Sequence, residues 1–129
     1  MPETRLFQTT VVGSMPRTLF VLDLLQPETV ERLGPETTRA RMDSAVRFII
    51  ALMENTGIDI ISDGEWRRKS YIGVIADICD GFELSIKEVL GQRQTWHVVT
   101  SKLEVINPGL LAKEARFLKL HTNRAVKVA

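Results

Sequence analysis

The sequence predicts an α/β fold in which helices alternate with the strands of a parallel sheet. Three short segments rich in β-branched residues are separated by segments with helical periodicity. The middle segment is apolar on both faces, as expected for a strand that helices cover. The 129 residues include 44% hydrophobic and 26% charged residues, which is an ordinary globular composition. We therefore expect residues 1–129 to form a single domain.

The first predicted strand covers residues 6–12, where β-branched residues run up to Gly13. Residues 14–17 follow as a loop, because a proline disfavours helix at the residue that precedes it. A short helix with several leucines is predicted over residues 18–25. Residues 26–34 contain a proline and end in a glycine, so they are interpreted as a connector.

The clearest predicted element is an amphipathic helix that begins at Pro35 and stops before Gly57. Proline suits the first turn of a helix, and glycine suits its C-terminal cap. A strand predicted over residues 58–62 follows directly and completes a βαβ unit. The apolar residues of the helix recur at spacings of three and four. They are Met42, Ala45, Val46, Ile49, Ile50 and Met53.

The second half of the chain is expected to contain two helices, an inserted strand pair and a third strand. Residues 66–78 are predicted as a helix, and residues 82–106 as the inserted strand pair, with a turn at Asp80–Gly81 between them. Asn107–Pro108 favours the start of the second helix. The third strand is predicted at residues 125–129. The expected apolar side of the first of these helices consists of Tyr71, Ile72, Ile75 and Ile78.

The charge and the apolar runs argue against nucleic-acid and membrane partners, and the cysteine count argues against an intramolecular disulfide. A balance of 17 basic and 16 acidic residues gives a net charge of +1, which provides no electrostatic reason to expect nucleic acid. No apolar run approaches the roughly 18 residues of a membrane span, and residues 1–5 lack the apolar region of a signal peptide. A single cysteine, Cys79, cannot form an intramolecular disulfide. We therefore expect a cytoplasmic protein without nucleic-acid or membrane partners.

Two polar clusters follow the first and second predicted strands. Ligands of parallel α/β folds bind at the carboxyl ends of the strands, so these clusters are the candidate substrate-binding site. The candidate residues are Gly13, Ser14 and Arg17 after the first strand, and Asp63, Glu65 and Arg67 after the second.

The chemistry of these side chains suits a zwitterionic small molecule such as an amino acid. Glu65 offers a carboxylate to an amino group, and Ser14 offers a hydroxyl group. Arg17 or Arg67 could bind a carboxylate with two parallel hydrogen bonds. The alternative interpretation is turn chemistry alone, in which Asp63 satisfies backbone donors at the start of a helix.

No catalytic residue and no metal ligand is predicted. His97 lies in a predicted strand and His121 at a helix C-terminus, and neither has a partner at the spacing of metal ligands. Cys79 lies beside isoleucines and is interpreted as a small core residue.

Two motifs resemble the start of the catalytic barrel of cobalamin-independent methionine synthases. Thr9–Arg17 resembles the opening strand of that barrel, and Gly57–Arg68 resembles its second strand and loop. Glu114–Lys119 and Val126–Val128 are similar to the helix and third strand that follow. The resemblance implies a partial TIM-type (β/α)8 barrel, roughly the first three βα units with a small inserted strand pair. The chain has about half the usual barrel length of ~250 residues, so an incomplete catalytic barrel is expected.

The resemblance also implies a reaction. Members of this family transfer a methyl group from methyltetrahydrofolate to the thiol of homocysteine, and a zinc ion binds that thiol and favours the thiolate. By resemblance, Ser14 helps to hold the amino-acid end of homocysteine, and Glu65 meets its amino group. The zinc ligands of the family are cysteine, histidine and glutamate residues on later strands. We therefore expect this chain alone to hold no zinc and to be inactive alone.

Two departures from the family pattern leave alternatives open. Asp63 stands where typical methionine synthases have histidine, and Arg17 stands where they tend to have glutamine. Both forms are more similar to relatives that include the epoxide-opening enzymes that use coenzyme M, so the acceptor is homocysteine or another small thiol. Other hypotheses are a non-catalytic truncated barrel that acts through association with another chain, and an α/β binding module. Self-association or a partner chain that completes the barrel is expected because an open sheet leaves edges uncovered.

Overall fold

The computed structural model describes residues 6–70 and 73–128, except for the side chains of residues 93–95. Tyr71 and Ile72, which the sequence places on a helix, lie outside the described residues, as does Ala129 of the third predicted strand. The chain divides into two compact units, one formed by Met1–Arg67 with Leu111–Ala129 and the other by Arg68–Leu110. Because one domain can contain more than one compact unit, the single-domain expectation for residues 1–129 stays a prediction.

Three helices open the first unit: α1 (Leu19–Leu24), α2 (Pro27–Leu33) and α3 (Pro35–Asn55). Helix α2 shows that the connector predicted over residues 26–34 was wrong. Proline occupies the first turn of α2 and glycine follows its last residue, so these residues mark the ends of a short helix. Proline and glycine had been interpreted as signs that no helix was present.

The C-terminus of α3 is closed by a Schellman motif, as the position of Gly57 predicted. The amide of Gly57 donates to the carbonyl of Glu54 at 3.1 Å, and the amide of Ile58 donates to that of Met53 at 3.0 Å. Gly57 has a φ of 83°, a left-handed conformation that glycine adopts without steric cost. The chain therefore turns sharply from the helix into the next strand.

The strands of the first unit are parallel, as predicted, but shorter. Strand β1 (Ile60–Ile61) pairs with β4 (Ala125–Val126), and Thr10 forms a single parallel bridge with Ile60. The strand predicted over residues 6–12 is thus reduced to one bridge. Phe7 has a φ of 60° and is 95% exposed, so this residue lacks the extended backbone and the burial of a strand. The observed fold is α/β, with the parallel pairing that the alternating pattern predicted.

The core of the first unit lies along one face of α3. This face is the one that the apolar spacing predicted, and it packs with residues from α1, β1 and the last helix. The buried core residues are Val21, Leu24, Met42, Ala45, Val46, Ile49, Ile50, Met53, Ile61, Trp66 and Leu118.

The second unit contains a short helix and a long hairpin. Helix α4 (Gly73–Ile78) leads into β2 (Cys79–Val89), which pairs antiparallel with β3 (Gln92–Val105). The inserted strand pair is therefore confirmed. The turn predicted at Asp80–Gly81 is wrong, because these residues belong to β2, where the pairing register shifts. The helix predicted over residues 66–78 is also too long, because residues 64–67 form a turn instead.

The last helix, α5 (Leu110–His121), begins after the predicted Asn107–Pro108 start. Gly109 has a φ of 78°, which is incompatible with a right-handed helix and delays the first turn. Its buried residues are Glu114 and Leu118, whereas Leu120 is 75% exposed. No helix among residues 6–70 and 73–128 is both long and apolar enough to cross a membrane.

Candidate functional site

The loops after the first two parallel segments contact each other directly. Thr10 and Ile60 pair in parallel, so the residues that follow them leave the sheet at the same edge. The amide of Met15 donates to the carbonyl of Gly64 at 3.0 Å. Two polar clusters that are about 50 residues apart in sequence therefore form one site.

Glu65 lies at the centre of this site. Its Oε2 accepts a hydrogen bond from Ser14 Oγ at 2.5 Å, and its carbonyl accepts one from Arg17 Nη2 at 2.8 Å. The residue is only 7% exposed, whereas Ser14 is an exposed residue. Ser14 thus stands between solvent and a carboxylate that the fold has largely removed from water.

The backbone of Glu65 is in the left-handed region, with a φ of 57°. This conformation costs a residue other than glycine roughly 1–2 kcal/mol. Side chains just upstream stabilise the turn, since Asp63 Oδ1 accepts from the Glu65 amide at 2.9 Å and Ser62 Oγ accepts from the Gly64 amide at 3.2 Å. The short side chains after β1 therefore direct the Glu65 carboxylate toward Ser14.

Gly64 allows the two loops to approach each other. A Cβ atom at this position would lie 3.3 Å from Met15 Cβ, and the φ of 65° is itself unfavourable for other residues. Gly13 also has a positive φ, of 76°, but open space surrounds the position of its missing side chain. The glycine in the second loop is therefore required for close packing, and Gly13 only for the turn.

Asp63 is the most deeply buried charged residue of the site. It is 2% exposed, and its Oδ2 is a buried atom without a hydrogen-bond partner among the described residues. The same holds for Nε1 of Trp66. Burial of a polar atom without a partner is unfavourable, and such atoms concentrate where a protein has a functional reason to keep them.

Arg67 makes contacts of a different kind. Its guanidinium group forms an ion pair with Asp43 at 2.7 Å and lies over the ring of Phe117, 4.8 Å from the centroid. These contacts connect the second loop to α3 and α5. The structure therefore brings Ser14, Arg17, Asp63 and Glu65 together, and it gives Arg67 contacts that stabilise the unit.

Lys127, which follows β4, was not among the candidate residues predicted from the sequence. The amide of Lys127 donates to the carbonyl of Ile61 at 2.9 Å, and its Nζ donates to the carbonyl of Val11. The lysine thus connects the third parallel strand to the segment that leads into Gly13. The rule that placed the other candidates at the carboxyl ends of strands also applies to the third strand, so it could have identified this residue.

The described residues do not fit a metal site. Within ranges 6–70 and 73–128, no three histidine, cysteine, aspartate or glutamate side chains lie close enough together to hold a metal ion. His121 is committed elsewhere, because its Nδ1 bonds the carbonyl of Phe117 at 2.8 Å and its ring stacks on Phe117 at 4.2 Å. His97 and Cys79 lie in the hairpin, paired with Leu84 and Val105.

A protein-family model matches this chain over almost its whole length. The match covers residues 7–127, and the family is described as "Cobalamin-independent synthase, Catalytic domain". Both loops of the candidate site fall within the matched residues.

Two curated relatives agree with this match. A methionine synthase of Sulfurisphaera tokodaii is 29% identical over 126 residues, which are 92% of this chain and 36% of the relative. A methionine synthase of Sulfolobus acidocaldarius is 28% identical over 124 residues, which are 91% of this chain and 35% of the relative.

Two solved structures share the fold. A B12-independent methionine synthase from Shewanella sp. W3-18-1, in complex with selenomethionine, superposes with a TM-score of 0.70 at 23% identity over 92% of this chain and 36% of that one. A putative vitamin-B12 independent methionine synthase from Listeria monocytogenes gives a TM-score of 0.64 at 20% identity, over 93% and 34%. The chain therefore spans about a third of the length of these proteins.

Proposed function

The chain belongs to the family of cobalamin-independent synthase catalytic domains, and from this we propose that it is part of a cytoplasmic thiol methyltransferase. The proposed reaction transfers a methyl group from methyltetrahydrofolate to homocysteine. The relatives that are named methionine synthase support this proposal. The parallel segment at Thr10, β1 and β4 are proposed as the first three strands of a TIM-type barrel.

The proposal depends most on the contact between Ser14 and Glu65. A carboxylate at the carboxyl end of a parallel strand suits the ammonium group of an amino acid, and the Ser14 hydroxyl lies 2.5 Å from it. An ammonium group has three donors, so it can bond to Glu65 and Ser14 at once. The amino-acid end of homocysteine is thereby held and its thiol stays free to react.

The other candidate residues have supporting roles in this proposal. Arg17 is the candidate for the ligand carboxylate, because its guanidinium group already lies beside the Glu65 carbonyl at 2.8 Å. Gly13 is required by its φ, and the open space beside it leaves the backbone accessible to the ligand. Arg67 is assigned to stabilisation of the loop through Asp43 and Phe117.

Titration calorimetry with L-homocysteine tests the amino-acid site. A hydrogen bond to a charged group contributes about 1.5–3 kcal/mol, so Glu65→Gln should weaken binding by about 10- to 100-fold. The matched control is Glu104→Gln, because Glu104 is an exposed glutamate that pairs with Lys102 at 3.0 Å. Equal affinities for Glu65→Gln and the control, or no binding to the unchanged chain, would refute the proposal.

Zinc is the metal that the family resemblance implies for the proposed full enzyme. Among the described residues, no group of three or more histidine, cysteine, aspartate or glutamate side chains fits the ion. Zinc would favour the thiolate of the acceptor wherever it is bound. We propose that the 129 residues alone hold no zinc and do not complete methyl transfer, and that a partner chain or a second copy covers the sheet edges.

Asp63 and Arg17 favour a second candidate, a related thiol alkyltransferase. Both residues resemble the pattern of relatives that open epoxides with coenzyme M. Coenzyme M carries a sulfonate and has no amino group, so it gains nothing from the Glu65 carboxylate. Calorimetry with coenzyme M therefore separates the two candidates, because tight binding that is insensitive to Glu65→Gln would favour the second.

A further inference from the structure

We propose that Asp63 is the positioning residue of this site, which holds the Glu65 backbone in the one conformation that presents the Glu65 carboxylate to a ligand ammonium group. The proposal rests on the proposed function, since it concerns the same amino-acid site. It assigns to Asp63 an action through Glu65 instead of direct contact with the ligand.

The polar groups of Glu65 are held by separate residues. Asp63 Oδ1 accepts from its amide at 2.9 Å, Arg17 donates to its carbonyl at 2.8 Å, and Ser14 donates to its carboxylate at 2.5 Å. Only the first of these contacts comes from a residue that is itself almost completely buried. Asp63 therefore keeps a fixed position, whereas the exposed Ser14 can move when a ligand binds.

The neighbouring turn bond shows why a carboxylate is needed at this position. Ser62 caps the Gly64 amide with a neutral hydroxyl at 3.2 Å, which suffices because glycine adopts a positive φ without strain. Glu65 has a similar φ of 57° but carries a side chain, so its conformation must be stabilised by its surroundings. A charged acceptor forms a stronger hydrogen bond than a neutral one.

The burial of Asp63 is difficult to explain by stability alone. Its Oδ2 is buried without a hydrogen-bond partner among the residues that the structure describes, which is an unfavourable state for a carboxylate oxygen. Glycine in place of Glu65 would remove the strain, but it would also remove the carboxylate. The pair Asp63 and Glu65 thus maintains a strained conformation that only the function of Glu65 requires.

The test measures L-homocysteine affinity by calorimetry and the hydrogen-exchange protection of the Glu65 amide by NMR in the same variants. Asp63→Ala removes the acceptor, and we expect at least a ~10-fold loss of affinity together with loss of amide protection. Asp63→Asn and Asp63→Ser keep a neutral acceptor, so both should show smaller, parallel losses. If Asp63→Ala does not fold, the homocysteine affinity and the Glu65 amide protection of Asp63→Asn and Asp63→Ser decide whether the proposal holds.

The control is Asp80→Ala. Asp80 Oδ1 accepts from the amide of the next residue, Gly81, at 2.8 Å in the other compact unit, so this variant also loses a bond between an aspartate and a backbone amide. It should leave homocysteine affinity and Glu65 protection unchanged. Loss of affinity in the Asp63 variants with full Glu65 protection would overturn the proposal, and so would loss of protection with unchanged affinity.

Failure of this inference can be distinguished from failure of the proposed function. If Glu65→Gln weakens binding but the Asp63 variants do not, the amino-acid site stands and the positioning role is wrong. If Glu65→Gln leaves homocysteine affinity unchanged, the proposed function itself fails.

Discussion

Glu65 combines a buried carboxylate with a left-handed backbone, and each is unfavourable for a glutamate by itself. The two loops offset this through contacts from Ser14, Arg17 and Asp63. A glutamate held in this way keeps its side chain in place before any ligand binds. Preorganisation of this kind reduces the entropy that ligand binding must overcome.

The close approach of the two loops predicts a specific effect of a methyl group at Gly64. Gly64→Ala combines an unfavourable φ with a Cβ only 3.3 Å from Met15 Cβ, so we expect a loss of about 2–4 kcal/mol in the free energy of unfolding. Gly57→Ala is the matched control, because its φ is 83° and the space around it is open. It should cost about 1–2 kcal/mol. Urea denaturation measures both, and equal losses would contradict the packing argument.

For individual residues, the residue types of the site could be predicted from the sequence, because glycine, serine and acidic residues after a strand have a defined turn chemistry. It could not predict that Arg67 pairs with Asp43, since that contact depends on how α3 packs. The strand-end rule also applies to Lys127, but no local pattern predicts the contact of Lys127 with Val11, 116 residues away.

At the scale of elements, Arg124 connects the C-terminal end of α3 to the turn before β4. Its guanidinium group donates to the carbonyl of Glu54 at 2.9 Å and to that of Ile58, and Thr122 donates to the Glu54 carboxylate at 2.5 Å. The Glu54 carbonyl also accepts from the Gly57 amide, so Arg124 adds a second hydrogen bond there, and the Ile58 carbonyl lies just after the helix. The parallel pairing of β1 with β4 is thereby stabilised from outside the two short strands.

Replacement of Arg124 tests this connection. Arg124→Ala removes charged donors to two backbone carbonyls, so we expect a loss of about 1.5–3 kcal/mol in unfolding free energy. Arg32→Ala is the control, because Arg32 is largely exposed and lies 3.8 Å from Asp23, and exposed ion pairs contribute little. Thermal denaturation followed by circular dichroism compares the variants. Indistinguishable midpoints would show that Arg124 does not stabilise the fold.

The buried face of α3 makes a further prediction. Ile49 is 1% exposed within the core, so Ile49→Ala should destabilise the chain by about 2–5 kcal/mol. Phe48, the preceding residue, is 59% exposed, and Phe48→Ala should have a much smaller effect. Urea midpoints measure the difference. The reverse order would mean that the helix packs through its other face.

The long periodic helix α3 and the short helix α1 were predicted well, whereas other short elements were not. Helix α3 was found because its apolar spacing spans several turns, which no alternative structure matches. Helix α2 has only Thr29 buried, so its pattern carried no periodic signal. Strands β1 and β4 were located correctly but predicted too long, since β-branched composition does not reveal how many residues find a pairing partner.

At the scale of the whole molecule, several large apolar side chains are exposed. Leu6, Leu19 and Leu120 are largely exposed, and the β1–β4 sheet is two-stranded within the described part of the chain. Uncovered strand edges and apolar patches favour contact with another chain. We therefore expect light scattering of the 129-residue chain to give a mass above 14.6 kDa. A sharp species at that mass would contradict this prediction.

The α/β class could be predicted from the sequence because helices and strands alternate along the chain. The division into two compact units could not be predicted, since it depends on long-range contacts that no local sequence pattern indicates. The expected barrel and the proposed reaction come from the resemblance to the family, because no periodicity of the sequence indicates them. The comparisons show that family, and the strand ends supply the geometry on which the proposed substrate site depends.

The most direct test of the central claim is a crystal structure of the chain with L-selenomethionine, whose selenium atom identifies the ligand by anomalous scattering. We expect the ligand amino group to lie within hydrogen-bond distance of Glu65 and Ser14, with the ligand side chain directed away from them. An ordered ligand elsewhere on the chain, or one bound with its amino group away from Glu65, would contradict the proposed amino-acid site.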